Sequence, residues 1–436
     1  MPGRSPRHLV RLTIAGTVMA LLCGACVGTG GETDQEAGGS VSVMVWAEPE
    51  ELPAYREVVL SFERAEPDID VRLVPFGERE DLLTRLSTSF AGGTPPDLFL
   101  LNYRFIGQYA DRGVLEPIQD RLESSDAFAR EDFFPQALDA FTFDGVLTCL
   151  PQNVSSLVVY YNVDLFRELG LEGPPDGWTY FDMVGLARQL TIDRDGDGAP
   201  EQYGLGVEAS IIRMAPFVWS NGGTLFDDET APTRLTLEEP AAVEVMQSFF
   251  DLREEYRVIP TEHEIEAQSD EDRFLNGTTA MVLASRRETP SFRTITGFEW
   301  DVAPLPVFQE PAGILHSDAY CMTRDSAHKE AAWTFMEFAL GPEGQAITAE
   351  AGRTVPSLIE VANSDPFLDP DQPPASSQVF LDTIPHIRRL PNISTWPEIE
   401  DRTDELLEIG MYHRVPALDI AQRVIRETTE MFARAG

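Results

Sequence analysis

Residues 41–102 alternate between two hydrophobic periods, and this constrains the fold more than any other feature of the chain. Val41, Val43 and Val45 recur at every second position through VSVMVWA, the period of a strand. Leu52, Tyr55, Val59 and Phe62 then step by three and four, which gathers them on one face of a helix. Residues 69–74 (IDVRLV) read as a second strand. Leu82, Leu83, Leu86 and Phe90 mark a second helix, stopped by Gly92-Gly93 and Pro95-Pro96. A third strand, DLFLL, runs through Leu98 to Leu101. The β-α-β-α-β order implies parallel strands, right-handed crossovers and helices on the sheet faces, so the class is α/β. In such sheets ligands sit beyond the carboxyl ends of the strands. Here those ends are Trp46, Ala47 and Glu48, then Asn102, Tyr103 and Arg104.

The same alternation continues. Leu157 to Tyr161 is strand-like, and Asp182 to Leu190 is helical with Thr179 as its N-cap. Pro240 to Arg253 and Ala327 to Leu340 carry helical apolar spacing. Residues 404–435 read as helix broken around Gly410 and Pro416. No internal repeat is visible.

The N-terminus sets the address. Residues 1–11 hold Arg4, Arg7, His8 and Arg11 and no acid, and an apolar run from Leu12 to Leu22 follows. A basic start, a short apolar run and small residues describe an export signal over 1–25. The run falls short of the ~20 residues a membrane span needs. Gly24-Ala25-Cys26 resembles the lipobox of bacterial lipoproteins, which makes Cys26 the acylated first residue of the mature chain. Cys23 stands where a leucine is usual. Residues 26–40 are Gly-rich and polar, the composition of a flexible tether. With the signal removed and Cys26 acylated, Cys149 and Cys321 remain. In an oxidising compartment two cysteines invite a disulfide, and two buried thiols are the other reading.

Charge narrows the partners. Asp and Glu number 73 against 33 Lys and Arg, a formal charge of −40, and Lys329 is the single lysine. Nucleic-acid binding rests on Lys/Arg contacts that release counterions, so a surface this acidic excludes it. The anchor would hold at a membrane a body that anionic headgroups repel.

Taken in order, several stretches carry a resemblance: GGTPPDLFLLN, GVLTCLPQNVSSLVVYYNVDLF, FVWSNGGTLFDD, FLNGTTAMVLAS, and AHKEAAWTFMEFALGPEGQ followed by AGRTVPS. Together they resemble the extracellular solute-binding proteins of bacterial ABC importers, in the sugar-binding branch that includes maltose-binding protein. The resemblance spans residues 41 to about 430. It implies a two-lobed, hinged, type II periplasmic-binding-protein-like fold. Lobe one would be 41–150 with 318–365, and lobe two 151–317 with 366–436. It also places Cys149 and Cys321 close together at the hinge. The implied function is capture of a mono- or oligosaccharide between the lobes by a monomer, and its delivery to a permease. Solute favours the closed form through its greater affinity for that form.

Sugars present apolar C–H faces and a ring of hydroxyls, so their sites combine aromatic platforms with planar donors and acceptors. The candidates are Trp46, Glu48, Asn102, Tyr103 and Arg104 from lobe one, and Gln152, Asn153, His316 and Asp318 at the crossings. Lobe two offers Trp219, Asn221, Arg286 and Trp396. By resemblance Trp219 and Trp396 are the stacking platforms, and Arg286-Arg287 stands where a third aromatic would. Trp178, Trp300 and Trp333 are expected in the core. If Arg104 and Arg286 both face the cleft, an anionic sugar fits. A polyol, phosphodiester or oligopeptide is the alternative solute.

Residues 193–201, DRDGDGAPE, place carboxylates at loop positions 1, 3 and 5, glycine at 6 and an acid at 9. Asp193, Asp195, Asp197, the Ala199 carbonyl and Glu201 reproduce most of a calcium loop. Position 12 is Gly204 instead of the bidentate glutamate, so the expected calcium is structural and modestly held. Catalytic patterns are weak: there is no Gly-x-Ser-x-Gly elbow, and His263-Glu264 lacks a second histidine. A binder is expected, with an extracellular carbohydrate-active enzyme as the distant alternative.

Overall fold

The computed structural model describes residues 39–434. The export signal and Cys26 lie outside them, as does the tether up to residue 38. The first strand, β1 (Gly39–Trp46), is followed by α1 (Leu52–Ala65), β2 (Ile69–Phe76), α2 (Arg79–Ala91) and β3 (Leu98–Asn102). These five elements follow the hydrophobic periods of the sequence. In α1 the residues at helical spacing, Tyr55, Val58, Val59 and Phe62, are buried. The turn after α2 is made by Gly93 at φ +69°, a left-handed conformation open to glycine without strain. β2 and β3 flank β1 in parallel register, as two crossovers require.

The chain then contributes β4 (Cys149–Pro151), β5 (Leu157–Asn162), α3 (Tyr180–Leu190), α4 (Ile211–Ser220), α5 (Pro240–Glu254) and a short α6 (Asp270–Leu275). Thr179 caps α3 in a reciprocal box: its Oγ1 accepts from Asp182 N at 3.2 Å, while Thr179 N donates to Asp182 Oδ2 at 2.9 Å. After these come β6 (Met281–Ser285), β7 (Trp300–Ala303), β8 (Asp318–Met322), α7 (Lys329–Leu340), α8 (Trp396–Tyr412) and α9 (Ala417–Phe432).

Two larger sheets divide the strands. One runs β2-β1-β3-β8-β4, with β8 antiparallel to both neighbours; the other is the antiparallel β6-β5-β7. The architecture is the two-lobed α/β type II fold. Segments 152–156 and 313–317 link the two sheets; a bridge between Ser155 and His316 ties them together, and one between Asn153 and Pro356 ties the first to the 353–357 segment. Cys149 and Cys321 are opposite one another in the β4–β8 ladder, with Cα atoms 4.4 Å apart and their sulfurs bonded.

The C-terminal helices depart from the sequence reading. Gly410 lies inside α8, and the break falls at 413–416. A Cβ at Gly410 would stand 2.2 Å from Phe250 Cζ, so this glycine admits α5 against α8. Trp178, Trp300 and Trp333 are buried, as expected.

Candidate functional site

A cavity of about 580 Å³ opens where the carboxyl ends of β1 and β3 meet the hinge segments and the second sheet. Trp46 and Glu48 reach it from the end of β1, and Asn102 and Arg104 from the end of β3. Asn153, His316 and Asp318 enter from the crossings, and Arg286 from just beyond β6. Eight of the thirteen candidate ligand residues thus converge from segments far apart in sequence.

Five do not line it. Tyr103 is fully buried beneath the cleft, where its hydroxyl accepts from Leu390 N at 3.3 Å. Gln152 Nε2 donates to the Tyr55 hydroxyl at 3.1 Å, inside the first lobe. Asn221 is spent on Glu244 (3.0 Å) and the Ala241 carbonyl (3.2 Å). Trp219 lies buried under the guanidinium of Arg388, 5.0 Å from its ring centroid. Trp396 is 0% exposed; its Nε1 donates to Glu400 Oε2 at 2.8 Å, and its ring packs edge-on against Phe226. Neither tryptophan offers a free face to a sugar, which corrects the expectation that they are the stacking platforms. Large rings sit most readily in cores, and here the second lobe's core took both.

The aromatic side chains in the wall are Trp46 and Phe105. Trp46 is held by two cations, Arg287 at 4.7 Å and Arg353 at 5.2 Å from its centroid, and its Nε1 is buried without a partner. Arg353, from the AGRTVPS segment, forms a buried pair with Glu51 at 2.8 Å and faces Asp318 at 3.5 Å. A hydrogen-bonded chain fixes the floor. Asn102 Nδ2 donates to Asp318 Oδ1 (3.0 Å), Asn102 Oδ1 accepts from Arg104 Nε (3.1 Å), and Asp318 N donates to Asn153 Oδ1 (2.9 Å).

The wall is densely charged, with six arginines against nine carboxylates. Arg104 pairs with Glu400 of α8, and Arg287 with Glu48 and Glu288. Arg286 differs: among the described residues it has no carboxylate partner. Its Nε donates to the Gly352 carbonyl (3.1 Å) and Nη1 to Ser377 Oγ (3.1 Å), between the rings of Phe367 and Phe380, while Nη2 is unpartnered. Burial, with Arg293 nearby, pulls its pKa down to about 9. Burial also pushes Glu288 up to about 7 against the pull of Arg287. It drives His316 well below its usual range, helped by Arg213 and Arg104, so that imidazole is neutral at pH 7. The wall residues the sequence reading left out, chiefly Arg79, Arg213, Glu288, Arg353 and Glu400, lie mid-loop or on helices with no pattern to single them out. Arg353 falls within the AGRTVPS stretch that contributes to the resemblance.

At the second candidate place, carboxylate oxygens of Asp193, Asp195 and Asp197 lie within 4.8 Å of one another. Asp193 accepts from Gly196 N (2.7 Å) and Gly198 N (3.0 Å), which wraps the loop around its first carboxylate. Glu201 Oε2 accepts from Arg194 N at 2.7 Å, and Ala199 N donates to Asp197 Oδ1 at 2.8 Å.

A family model described as bacterial extracellular solute-binding protein matches residues 46–346. A maltotriose-binding protein of Pyrococcus abyssi is 24% identical over 399 residues, 88% of this chain and 82% of its own. An erythritol/L-threitol-binding protein of Mycolicibacterium smegmatis is 25% identical over 358 residues, 76% of this chain and 72% of its own. Among solved structures, an ABC substrate-binding protein from Listeria monocytogenes in complex with cycloalternan superposes with TM-score 0.82. It is 26% identical and covers 90% of this chain and 99% of its own. These relatives are binding proteins, and this chain is a binding protein rather than an enzyme. With its two lobes, its hinge and a polar cavity between them, the chain belongs to the bacterial extracellular solute-binding proteins.

Proposed function

We propose that the protein captures a carbohydrate in this cavity and delivers it to the permease of an ABC importer, held at the outer face of the membrane by a lipid on Cys26. One observation carries the sugar reading. Among the described residues, two buried N–H groups without partners, Trp46 Nε1 and Arg286 Nη2, belong to residues of the cavity wall. A buried donor left unpaired costs about 1–3 kcal/mol, and solute hydroxyls are acceptors that relieve it. The neutral His316 imidazole and the Asn102 and Asn153 amides add groups that both donate and accept. Ion pairs from Glu48 to Arg287 and from Arg104 to Glu400 join the lobes around the solute.

The maltotriose-binding relative and the cycloalternan complex support the same solute class. Calorimetric titration of the protein with neutral oligosaccharides tests it. Reversible one-to-one binding, with a higher melting temperature by mass action, is expected. Failure of every oligosaccharide to bind removes the reading. For the anchor, Cys26→Ala should shift the protein from the membrane fraction to the soluble one, and an unchanged distribution removes the lipid.

The loop at 193–201 fits a calcium ion. Carboxylate oxygens of its three aspartates converge, and Ala199 and Glu201 would complete the oxygen set. Calcium would pin the loop that leads from α3 back to the second lobe's core.

A further inference from the structure

Arg353 owes its place to the glycine before it. The helix Pro342–Glu350 is followed by Gly352 at φ +83°, the left-handed conformation that closes helix C-termini, and Arg353 N donates to the Thr348 carbonyl at 3.1 Å. From this turn the side chain runs inward and is 1% exposed. It meets three groups of the first lobe at once. Nε stands 2.8 Å from Glu51 Oε1, Nη2 stands 3.5 Å from Asp318 Oδ2, and the guanidinium lies 5.2 Å from the Trp46 ring centroid.

Both carboxylates lead on to a contact between the lobes. Glu51 Oε2 accepts from Glu48 N at 2.8 Å, which fixes the loop from which the Glu48 side chain reaches Arg287 beyond β6. Asp318 Oδ1 accepts from Asn102 Nδ2 at 3.0 Å, and Asn102 Oδ1 accepts from Arg104 Nε at 3.1 Å. Arg104 then pairs with Glu400 of α8. The contacts form one unbroken chain from Arg287 to Glu400, with both ends on the second lobe's side of the cleft and Arg353 at its middle.

Stability alone does not account for this arrangement. Glu51 and Asp318 are 1% and 6% exposed, and charged groups so deeply buried are costly to desolvate. Apolar residues of the same volume often match or better such a cluster. What the charges supply is geometry. A guanidinium is a planar fork with five donors, so it holds two carboxylates at fixed angles while it lies against a ring; an ammonium is a single point charge.

We propose that Arg353 is a positioning residue that makes the two interlobe contacts, Glu48–Arg287 and Arg104–Glu400, form together when the lobes close on solute. It acts through Glu51 and Asp318. This role rests on the solute-capture reading of the cleft and adds how closure is coordinated. The test is calorimetric titration of the full-length chain with maltotriose, using Glu48→Gln, Glu400→Gln and their double variant, each with Arg353 or with Arg353→Lys. Lysine keeps the charge and lacks the fork. With Arg353 in place, each single variant should weaken binding about three- to tenfold. The double variant should be little worse than the weaker single, because losing one contact already releases the other. Arg353→Lys should itself weaken binding about tenfold, and on that background the two glutamine effects should multiply.

Effects that multiply with Arg353 in place overturn the proposal. So does an Arg353→Lys variant that melts lower yet binds maltotriose as the native protein does, since that is a purely structural role. If Arg353→Lys does not fold, Glu51→Gln takes its place with the same expectations; it keeps an acceptor for Glu48 N and removes the charge beside Arg353. Closure is also read without sugar, by small-angle scattering of the unliganded chains. If maltotriose does not bind, the carbohydrate reading loses that sugar and the scattering decides. Arg353→Lys as open as Glu48→Gln supports the proposal, and Arg353→Lys as compact as the native protein overturns it.

Discussion

Arg287 reaches across the hinge from the second sheet to pair with Glu48 at the end of β1, and its guanidinium lies over the Trp46 ring at 4.7 Å. Each lobe thus supplies one half of an ion pair, and the aromatic side chain between them belongs to the cleft wall. The pair is about one-third exposed, which limits its worth through solvent screening. Glu48→Gln should raise the solute Kd about three- to tenfold, with a double-mutant coupling to Arg287 of about 0.5–1 kcal/mol. Small-angle scattering should show the unliganded variant more open. An unchanged Kd and radius of gyration would remove the latch.

The three large indoles of the site argument now separate. Trp46→Phe keeps an apolar ring and deletes the Nε1 donor, so solute affinity should fall about tenfold. Trp219→Phe, away from the cavity under Arg388, should cost stability and alter Kd less than about twofold. Titration calorimetry with thermal melts reads both, and the reverse ranking would show that the cavity has been misassigned.

Asp270 gives a signed pH prediction. Its carboxyl titrates at about 8 in the fold against an ordinary 3.8, because of burial first and Glu271 second, with Arg273 and Arg213 opposing. Between those values the folded state holds a proton that the unfolded chain releases, so this group lowers stability as pH rises from about 4 to 8. Asp270→Asn should therefore stabilise the unliganded protein at pH 8 by roughly 1–3 kcal/mol and leave it nearly unchanged at pH 4. Melting curves at the two pH values decide it; equal shifts at both would contradict the assignment.

The Cys149–Cys321 bridge closes a loop with a sequence separation of 172. Cross-links of that span restrict the unfolded chain, typically by about 2–5 kcal/mol. The Cys149→Ser/Cys321→Ser double variant should melt lower by that amount and still bind solute, because neither cysteine lines the cavity. Loss of binding in a folded variant would make the bridge a part of the hinge mechanism.

Calcium removal is the remaining test. A chelator should lower the melting temperature of the native protein and leave Asp193→Asn unaffected, with a shift worth about 2.7 kcal/mol at one hundred times the Kd. Indifference of the native protein to the chelator would leave the loop as a set of Asx turns.

Much of the first lobe was legible because local spacing decides local structure. Val41, Val43 and Val45 alternate, Tyr55, Val59 and Phe62 step by helical turns, and the strand ends then fall at Trp46 and Asn102. The Thr179 cap was readable for the same reason, since its partner Asp182 is three residues away. Gly410 was misleading because the same residue type serves a chain break and a close helix contact, and only Phe250 tells them apart.

The sequence by itself determined the class of fold, the order of its elements and the strand ends at which a site forms. It left undecided which tryptophan meets solvent, since Trp46, Trp219 and Trp396 are the same side chain until neighbours cover two of them. It also left undecided the charge the solute meets. Arg104 and Arg286 left an anionic sugar open if both faced the cleft, but Arg104 is neutralised by Glu400, 296 positions away, and α8 brings a carboxylate stripe opposite Asp270. Such pairings join residues whose separation along the chain carries no periodic signal. They exist only once the two lobes have packed, which is why the tertiary structure settled the electrostatics that the composition had left open.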